Sequence, residues 1–322
     1  MEAVFLKKRF VIVAGKGGVG KSTVCAALGL AAARAGRRTI IAELNTREKI
    51  PHLFGVAPSG YTPGRVADNL YSLNIQPEPA LHEYGVRKVR LERIYKTVFE
   101  NEAVKRLLRM IPGMNELLLL GKAFDLERDR DRRGKPDWDM VIVDAPATGH
   151  GVSLLRLPQT ILEVVSTGPM AEEVRAMRDL LVDPRRTVIN LVTLPEEMPV
   201  RETFDLLHQV DTTLEIAKGY LFINGIWPRV VSKRDLEPMR LLRDAARGED
   251  PIVDGAMSCM HAQVQRRTFQ EPYLRELRRK VDMPAIEVPF LFRREFARDA
   301  ITVLSDHILK EIERVEAKRR RA

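Results

Sequence analysis

The consecutive residues Gly15-Lys16-Gly17-Gly18-Val19-Gly20-Lys21-Ser22-Thr23 have the types and spacing to hold a polyphosphate. They follow the apolar run Phe10-Val11-Ile12-Val13-Ala14 and open an amphipathic segment at Lys21, so a glycine-rich turn joins a strand to a helix. Glycines without a Cβ let backbone N–H groups close around phosphate oxygens, and the helix N-terminus adds partial positive charge. Lys21 is expected to reach the β- and γ-phosphates and Ser22 to set its hydroxyl on Mg²⁺. A second element of the same chemistry is Met140-Val141-Ile142-Val143-Asp144, an apolar run ending in a carboxylate suited to holding Mg²⁺ through water. Together they predict a mononucleotide and Mg²⁺ site.

These residues need a rigid frame. Uncharged, β-branched runs at Phe10–Ala14, Thr39–Ala42, Met140–Asp144 and Thr187–Val192 read as buried parallel strands, with others at Asn69–Ile75, Tyr220–Asn224 and Ile286–Val288. Helical spacing covers Lys21 to about Ala35, then 152–165, 171–182, 200–216, 253–280 and 296–316. Strands alternating with helices predict an α/β fold, doubly wound around a largely parallel sheet. The block from 78 to 137 reads as an inserted helical subdomain, with Asp125–Gly134 as a charged, mobile loop. No linker divides the 322 residues, so one domain is expected.

Composition narrows the classes. Apolar residues at 45% and charged ones at 30% fit a globular protein. The longest apolar-leaning run, Ser22–Ala33, is too short to span a bilayer, and the start has no signal-peptide core. Two cysteines, Cys25 and Cys259, exclude a disulfide framework and suit the reducing cytoplasm. The net charge of +9 suggests an attraction to anions, and the basic tail at 317–322 reads either as a fraying end or as a tether to an anionic membrane surface.

Lys16, directly after the first glycine, makes the loop resemble the deviant P-loop ATPases, in which this lysine crosses a dimer interface to the partner's nucleotide. Asp144-Ala-Pro-Ala-Thr-Gly-His150 with Leu154-Leu155-Arg156-Leu157-Pro158 resembles the D-T-A-P-T-G-H…L-R-L-L-x-x-P signature of the ArsA/GET ATPases, which handle arsenite export and tail-anchored membrane proteins. Pro112-Gly113-Met114-Asn115-Glu116, the segment Thr193–Thr203 and the Gln265–Leu274 helix are similar to further motifs of that family, so the resemblance runs from about 9 to 312. It implies a homodimeric ATPase with ATP and Mg²⁺ as ligands. Gly15 to Thr23 would bind phosphates and Asp144 the metal. Thr148, Gly149 and His150 would form the switch that senses the γ-phosphate. Asn224 would hydrogen-bond adenine, Pro289 and Phe290 would lie against the ring, and Glu202 would contact nucleotide or partner.

Two departures stand out. The GET proteins share Zn²⁺ through paired C-x-x-C motifs, whereas Ser258-Cys259-Met260-His261 has one cysteine, so no zinc is expected and Cys259 reads as a buried thiol. In switch I the family has an aspartate that orients the attacking water, and the strand ends align Asn45 with it. Asparagine can orient a water but cannot take its proton, which predicts slow turnover, with Glu43 as a backup carboxylate. Met110, Met114, Leu117–Leu120, Met170 and Met177 are candidates to line a groove for a hydrophobic client helix or membrane protein, although apolar residues at helical spacing are more often plain core. The alternative is a ParA/MinD-like or slowly hydrolysing scaffold at a membrane or nucleoid, although the Thr-Gly-His run disfavours the partition branch and nucleic acid is not expected as a partner.

Overall fold

Strands with no polar face require cover on both sides, and this chain supplies it. The structure, a computed structural model, describes residues 4–89, 113–231, 234, 236–246 and 251–320. Its strands are β1 (Phe10–Ala14), β2 (Thr39–Leu44), β3 (Gly64–Ala67), β4 (Leu70–Ile75), β5 (Met140–Asp144), β6 (Thr187–Thr193), β7 (Lys218–Ile226) and β8 (Ala285–Pro289). They form one sheet in the order β3-β4-β2-β5-β1-β6-β7-β8, parallel throughout except for the β3–β4 pair at one edge. Every residue of β1, β2, β5 and β6 is buried.

The helices are α1 (Lys21–Arg34), α2 (Ile50–Phe54), α3 (Pro77–Val89), α4 (Met114–Arg128), α5 (Thr148–Val164), α6 (Pro169–Val182), α7 (Glu197–Gln209), α8 (Leu236–Ala246), α9 (Pro251–Lys280) and α10 (Arg298–Arg319). Side chains alternate across the sheet as its pleat requires. Phe10 and Ile12 join a core with Leu120 and Phe124 of α4 and Leu154 of α5. Val11 and Val13 join a second core with Ala27 of α1 and Ile301 and Ile308 of α10. The α/β expectation is met, with the strands at the predicted places.

The structure corrects the predicted boundaries at several points. The hairpin partner β3 and the short α2 carry too few periodic residues to stand out, and α8, with apolar residues at helical spacing, is a further helix that the predicted set lacks. The helix read over 200–216 begins at Glu197 and loosens into a π-type turn, Val210–Leu214, ended by left-handed Glu215. The charged segment Asp125–Gly134 is not a free loop: Asp125 to Arg128 complete α4. Beyond it, the Asp131 carboxylate accepts N–H bonds from Arg133 (2.8 Å) and Lys135 (2.9 Å), closing the turn. Of the helical block, residues 90–112 lie outside the described residues, Met110 among them.

Glu127, fully buried at the end of α4, ties that helix to the N-terminal edge of the sheet. Its Oε1 accepts from Arg9 Nε (2.8 Å), just before β1, and its carboxylate pairs with Arg186, just before β6. Arg9 also donates to the Glu127 carbonyl at 3.0 Å.

Candidate nucleotide site

The glycine-rich loop leaves the C-terminal end of β1 between β5 and β6, where the chain has turned to opposite sides of its first strand. Open α/β sheets place ligands at such a point. Val19 is 1% exposed and pins the loop's floor into the core, whereas Gly17 and Gly18 are open to solvent. Two glycines are obligatory. Gly15 has φ +150°, and a Cβ there would lie 2.2 Å from the Val192 carbonyl oxygen. Gly20, at φ +95°, would drive a Cβ to 2.2 Å from the amide nitrogen of Asn224. Lys21 opens α1 and bends back over the loop, its Nζ donating to the carbonyls of Gly15 (3.0 Å) and Lys16 (2.8 Å). Burial holds its pKa below the usual lysine value. Thr23 follows on the first turn of α1.

The residues proposed to hold Mg²⁺ meet. Ser22 Oγ donates to Asp144 Oδ2 at 2.6 Å. Asp144 Oδ1 is buried and has no hydrogen-bond partner among the described residues. Burial pushes the Asp144 carboxyl up, and the Ser22 hydroxyl and the Lys21 and Lys49 ammonium groups pull it back. An oxygen donor pair with one unsatisfied oxygen fits a hydrated Mg²⁺, which keeps most of its waters and takes few protein ligands. Mg²⁺ held there would neutralise charge on the bound phosphates.

Switch I is arranged differently from the expectation. Glu43 is fully buried, and both carboxylate oxygens are committed, Oε1 to Lys49 N (2.7 Å) and Oε2 to Ile50 N (3.3 Å). It anchors the start of α2 and is not the open backup base proposed from the sequence. Asn45 leaves β2 in the left-handed region (φ 46°) with its side chain exposed, so the two residues do not share a strand face. Asparagine is among the residues that tolerate this conformation, which gives it a local reason as well.

Burial raises Glu43 from 4.5 to about 7, against the two N–H bonds and with help from the nearby Asp144 and Glu48 carboxylates. The folded chain then holds a proton that the unfolded chain releases above pH 4.5. This contribution to stability is full below that pH and is lost as pH rises through about 7. The whole effect is at most about 3 kcal/mol. Glu43→Gln should therefore flatten the decline in urea-unfolding free energy between pH 5 and pH 8, whereas an unchanged slope would assign that decline elsewhere.

Lys16 does not fold onto its own loop. Its Nζ sits 2.6 Å from Glu202 Oε1 on α7, both side chains about 30% exposed. Asn224, at the end of β7, donates through Nδ2 to the Val19 carbonyl (2.9 Å), which fastens the loop from behind. Pro289 closes β8, and Phe290 stacks on Trp227 with ring centroids 4.9 Å apart and planes 12° apart. Phe292 meets both rings edge-on. Trp227 and Phe292 escaped the sequence reading; Trp227 directly follows the end of β7, and Phe292 lies shortly beyond β8. Thr148, Gly149 and His150 open α5, with their side chains outside the described set.

Of the proposed groove residues, Leu119 and Leu120 belong to the core. Met114, Leu117, Leu118, Met170 and Met177 line a cavity of about 210 Å³ between α3, α4 and α6. Cys259 is exposed, which corrects its assignment as a buried thiol, because the first half of α9 has little packed against it. No described helix is long and apolar enough to cross a membrane.

The sequence profile of the anion-transporting ATPase family matches residues 8–170, half of the chain. The ATPase BagA of Mycobacterium tuberculosis is 31% identical over 239 residues, covering 71% of this chain and 68% of that protein. The arsenical pump-driving ATPase of Escherichia coli is 25% identical over 244 residues, or 70% of this chain and 41% of its own length. That of Acidiphilium multivorum is 24% identical over 243 residues, with the same coverages. The matched region contains the phosphate loop, switch I and the Asp144 strand whose geometry is described above, and the chain thus belongs to the anion-transporting ATPase family as an ArsA-type P-loop ATPase.

Proposed function

We propose that the chain works as a homodimeric switch in which Mg²⁺–ATP closes two copies head to head and hydrolysis reopens them. The observation that carries this reading is the disposition of the two loop lysines. Lys21 is turned inward over its own loop, whereas Lys16 stands at the outer lip, its Nζ paired with Glu202 where both side chains are about 30% exposed. Such a pair contributes about 0–1 kcal/mol, so the lysine is readily released to a nucleotide presented by a second copy. Sedimentation with and without a non-hydrolysable ATP analogue tests the idea. The wild type should shift from monomer to dimer with the analogue. Lys16→Ala should stay monomeric, with its nucleotide affinity changed by less than about threefold and its turnover lost. A wild type that stays monomeric in both conditions would refute the reading.

Turnover is expected to be slow. In this reading Asn45 orients the water without accepting its proton, and the missing general base costs about 10²–10⁴-fold, part of it recovered by orientation. Asn45→Asp should raise kcat by about tenfold or more with little change in KM, the pattern of an interaction confined to the transition state. Equal turnover for wild type, Asn45→Asp and Asn45→Ala would remove Asn45 from the mechanism.

The reading extends to hydrophobic clients within limits set by size. The cavity of about 210 Å³ compares with the roughly 150 Å³ that holds a benzene ring, so it suits one or two side chains. A membrane-spanning helix of about 20 residues needs far more surface, which a single subunit's cavity does not supply.

A further inference from the structure

The last turn of β7 breaks its pairing where it passes the phosphate loop. The strand pairs with β8 at Ile223 with Glu287 and again at Ile226 with Pro289, so three steps on β7 oppose two on β8. The extra residue makes a bulge at Asn224 and Gly225, with Gly225 in the left-handed region (φ 68°). A bulge takes backbone groups out of the ladder and re-aims a side chain. Here a side chain of α9 stands in for the missing strand. Gln270, 6% exposed, accepts from Trp227 N at 3.0 Å through Oε1 and donates to the Gly225 carbonyl at 2.8 Å through Nε2. A primary amide offers a donor and an acceptor side by side, so it satisfies both groups as a neighbouring peptide would. Between them Phe290 N donates to the Ile226 carbonyl (2.8 Å), and Arg267 Nη1 donates to the Trp227 carbonyl (3.3 Å).

The side chain that this bulge aims is Asn224. Its Nδ2 donates to the Val19 carbonyl (2.9 Å) and lies against Gly20, so the amide sits beside the end of the phosphate loop, where α1 begins. A carbonyl accepts only from an N–H, and this fixes the polarity of the amide. Its nitrogen is spent on the loop, and the atom left for a ligand is the acceptor Oδ1. Further along the same carboxyl edge of the sheet, Trp227, Phe290 and Phe292 pack ring on ring, with Phe290 and Phe292 exposed. A flat heteroaromatic ring is recognised by an apolar wall together with a directional polar atom. Both stand beside the loop that would hold its phosphates.

We propose that Gln270 is the positioning residue of a nucleobase subsite at this edge, holding the β7 bulge so that the Asn224 carbonyl oxygen selects a purine with an amine at position 6 over one with an oxo group. An exocyclic amine donates to that oxygen, whereas an oxo group sets acceptor against acceptor and leaves both unsatisfied. Gln270 itself does not touch the ligand. It acts through the backbone of residues 225–227, to which both ends of its amide are bound. The proposal rests on the reading of the glycine-rich loop as a nucleotide site.

The test is a calorimetric comparison of ADP, inosine diphosphate and inorganic tripolyphosphate, each with Mg²⁺. Inosine diphosphate differs from ADP only in the oxo group at position 6, and tripolyphosphate has no base. The wild type should bind ADP at least about tenfold more tightly than inosine diphosphate. Gln270→Leu should bring that ratio to within about threefold of unity, through weaker ADP binding, while tripolyphosphate affinity changes by less than about threefold. Gln270→Glu keeps the acceptor for Trp227 N and loses the donor to Gly225, so it should lose the preference in part. Asn224→Ala should abolish the preference, and adding Gln270→Leu to it should leave the ratio unchanged. Retained tripolyphosphate binding shows that a variant keeps a folded phosphate loop. A wild type without the preference, or Gln270 variants that keep it, would overturn the proposal. Equal losses for all three ligands would overturn it as well, since they would make Gln270 a general support of the fold. A wild type that binds neither ADP nor tripolyphosphate would overturn the nucleotide-site reading itself, a result distinct from these.

Discussion

Glu127→Ala is expected to lower the unfolding free energy by about 3 kcal/mol, the largest stability loss foreseen for a residue outside the phosphate site. The carboxylate is fully buried and joins Arg9 and Arg186, so it links α4 to two strand starts at once. Removing one partner of a buried pair leaves the other charge uncompensated, which costs roughly 3–5 kcal/mol. The lower end applies because the two arginines remain 23% and 38% exposed and can turn to water. For a chain of this length the loss corresponds to a fall in Tm of about 4 °C. Below that temperature ATP turnover should be unaffected, since Glu127 lies at the opposite edge of the sheet from the loop. A Tm within 1 °C of wild type would show that the arginines find equivalent partners and that Glu127 does not fasten the helical region.

The parts of the molecule legible from sequence are those in which local pattern and tertiary role agree. The runs Phe10–Ala14 and Met140–Asp144 can only be buried strands, and the loop Gly15–Thr23 carries its function in its glycines. Met114, Leu117, Leu118, Met170 and Met177 were grouped by residue type, and the structure gathers them around one cavity. What escaped depends on contacts between segments distant in sequence. Nothing between Glu43 and Gly55 fixes a register, so the anchoring of Lys49 and Ile50 by Glu43 could not be read. Strand alternation alone would put Glu43 and Asn45 on one face, and the left-handed backbone at Asn45 breaks that period. Asp125–Gly134 looks like a solvated charge run because its ion pairs reach Arg87 on α3, as with Asp125 and Asp129, and the strand ends, as with Glu127. The Lys16–Glu202 pair likewise joins residues that no local pattern connects.

The second large effect is expected at Lys21, which tests the central claim that this loop binds and hydrolyses ATP. Held over the carbonyls of Gly15 and Lys16 at the mouth of α1, the ammonium needs only a small swing to meet incoming phosphates. Desolvation makes the ammonium costly to bury and strengthens its interaction with an anion. Removing one such preorganised charge from a phosphoryl-transfer site costs about 10²–10³-fold in rate. The decisive measurement is Mg²⁺-dependent phosphate release from ATP by the wild type and Lys21→Ala, with thermal melting to confirm that both are folded. The account predicts steady release by the wild type that stops when Mg²⁺ is chelated, and a loss of at least about 10²-fold in Lys21→Ala. Equal release by the two proteins, or release indifferent to Mg²⁺, would contradict it.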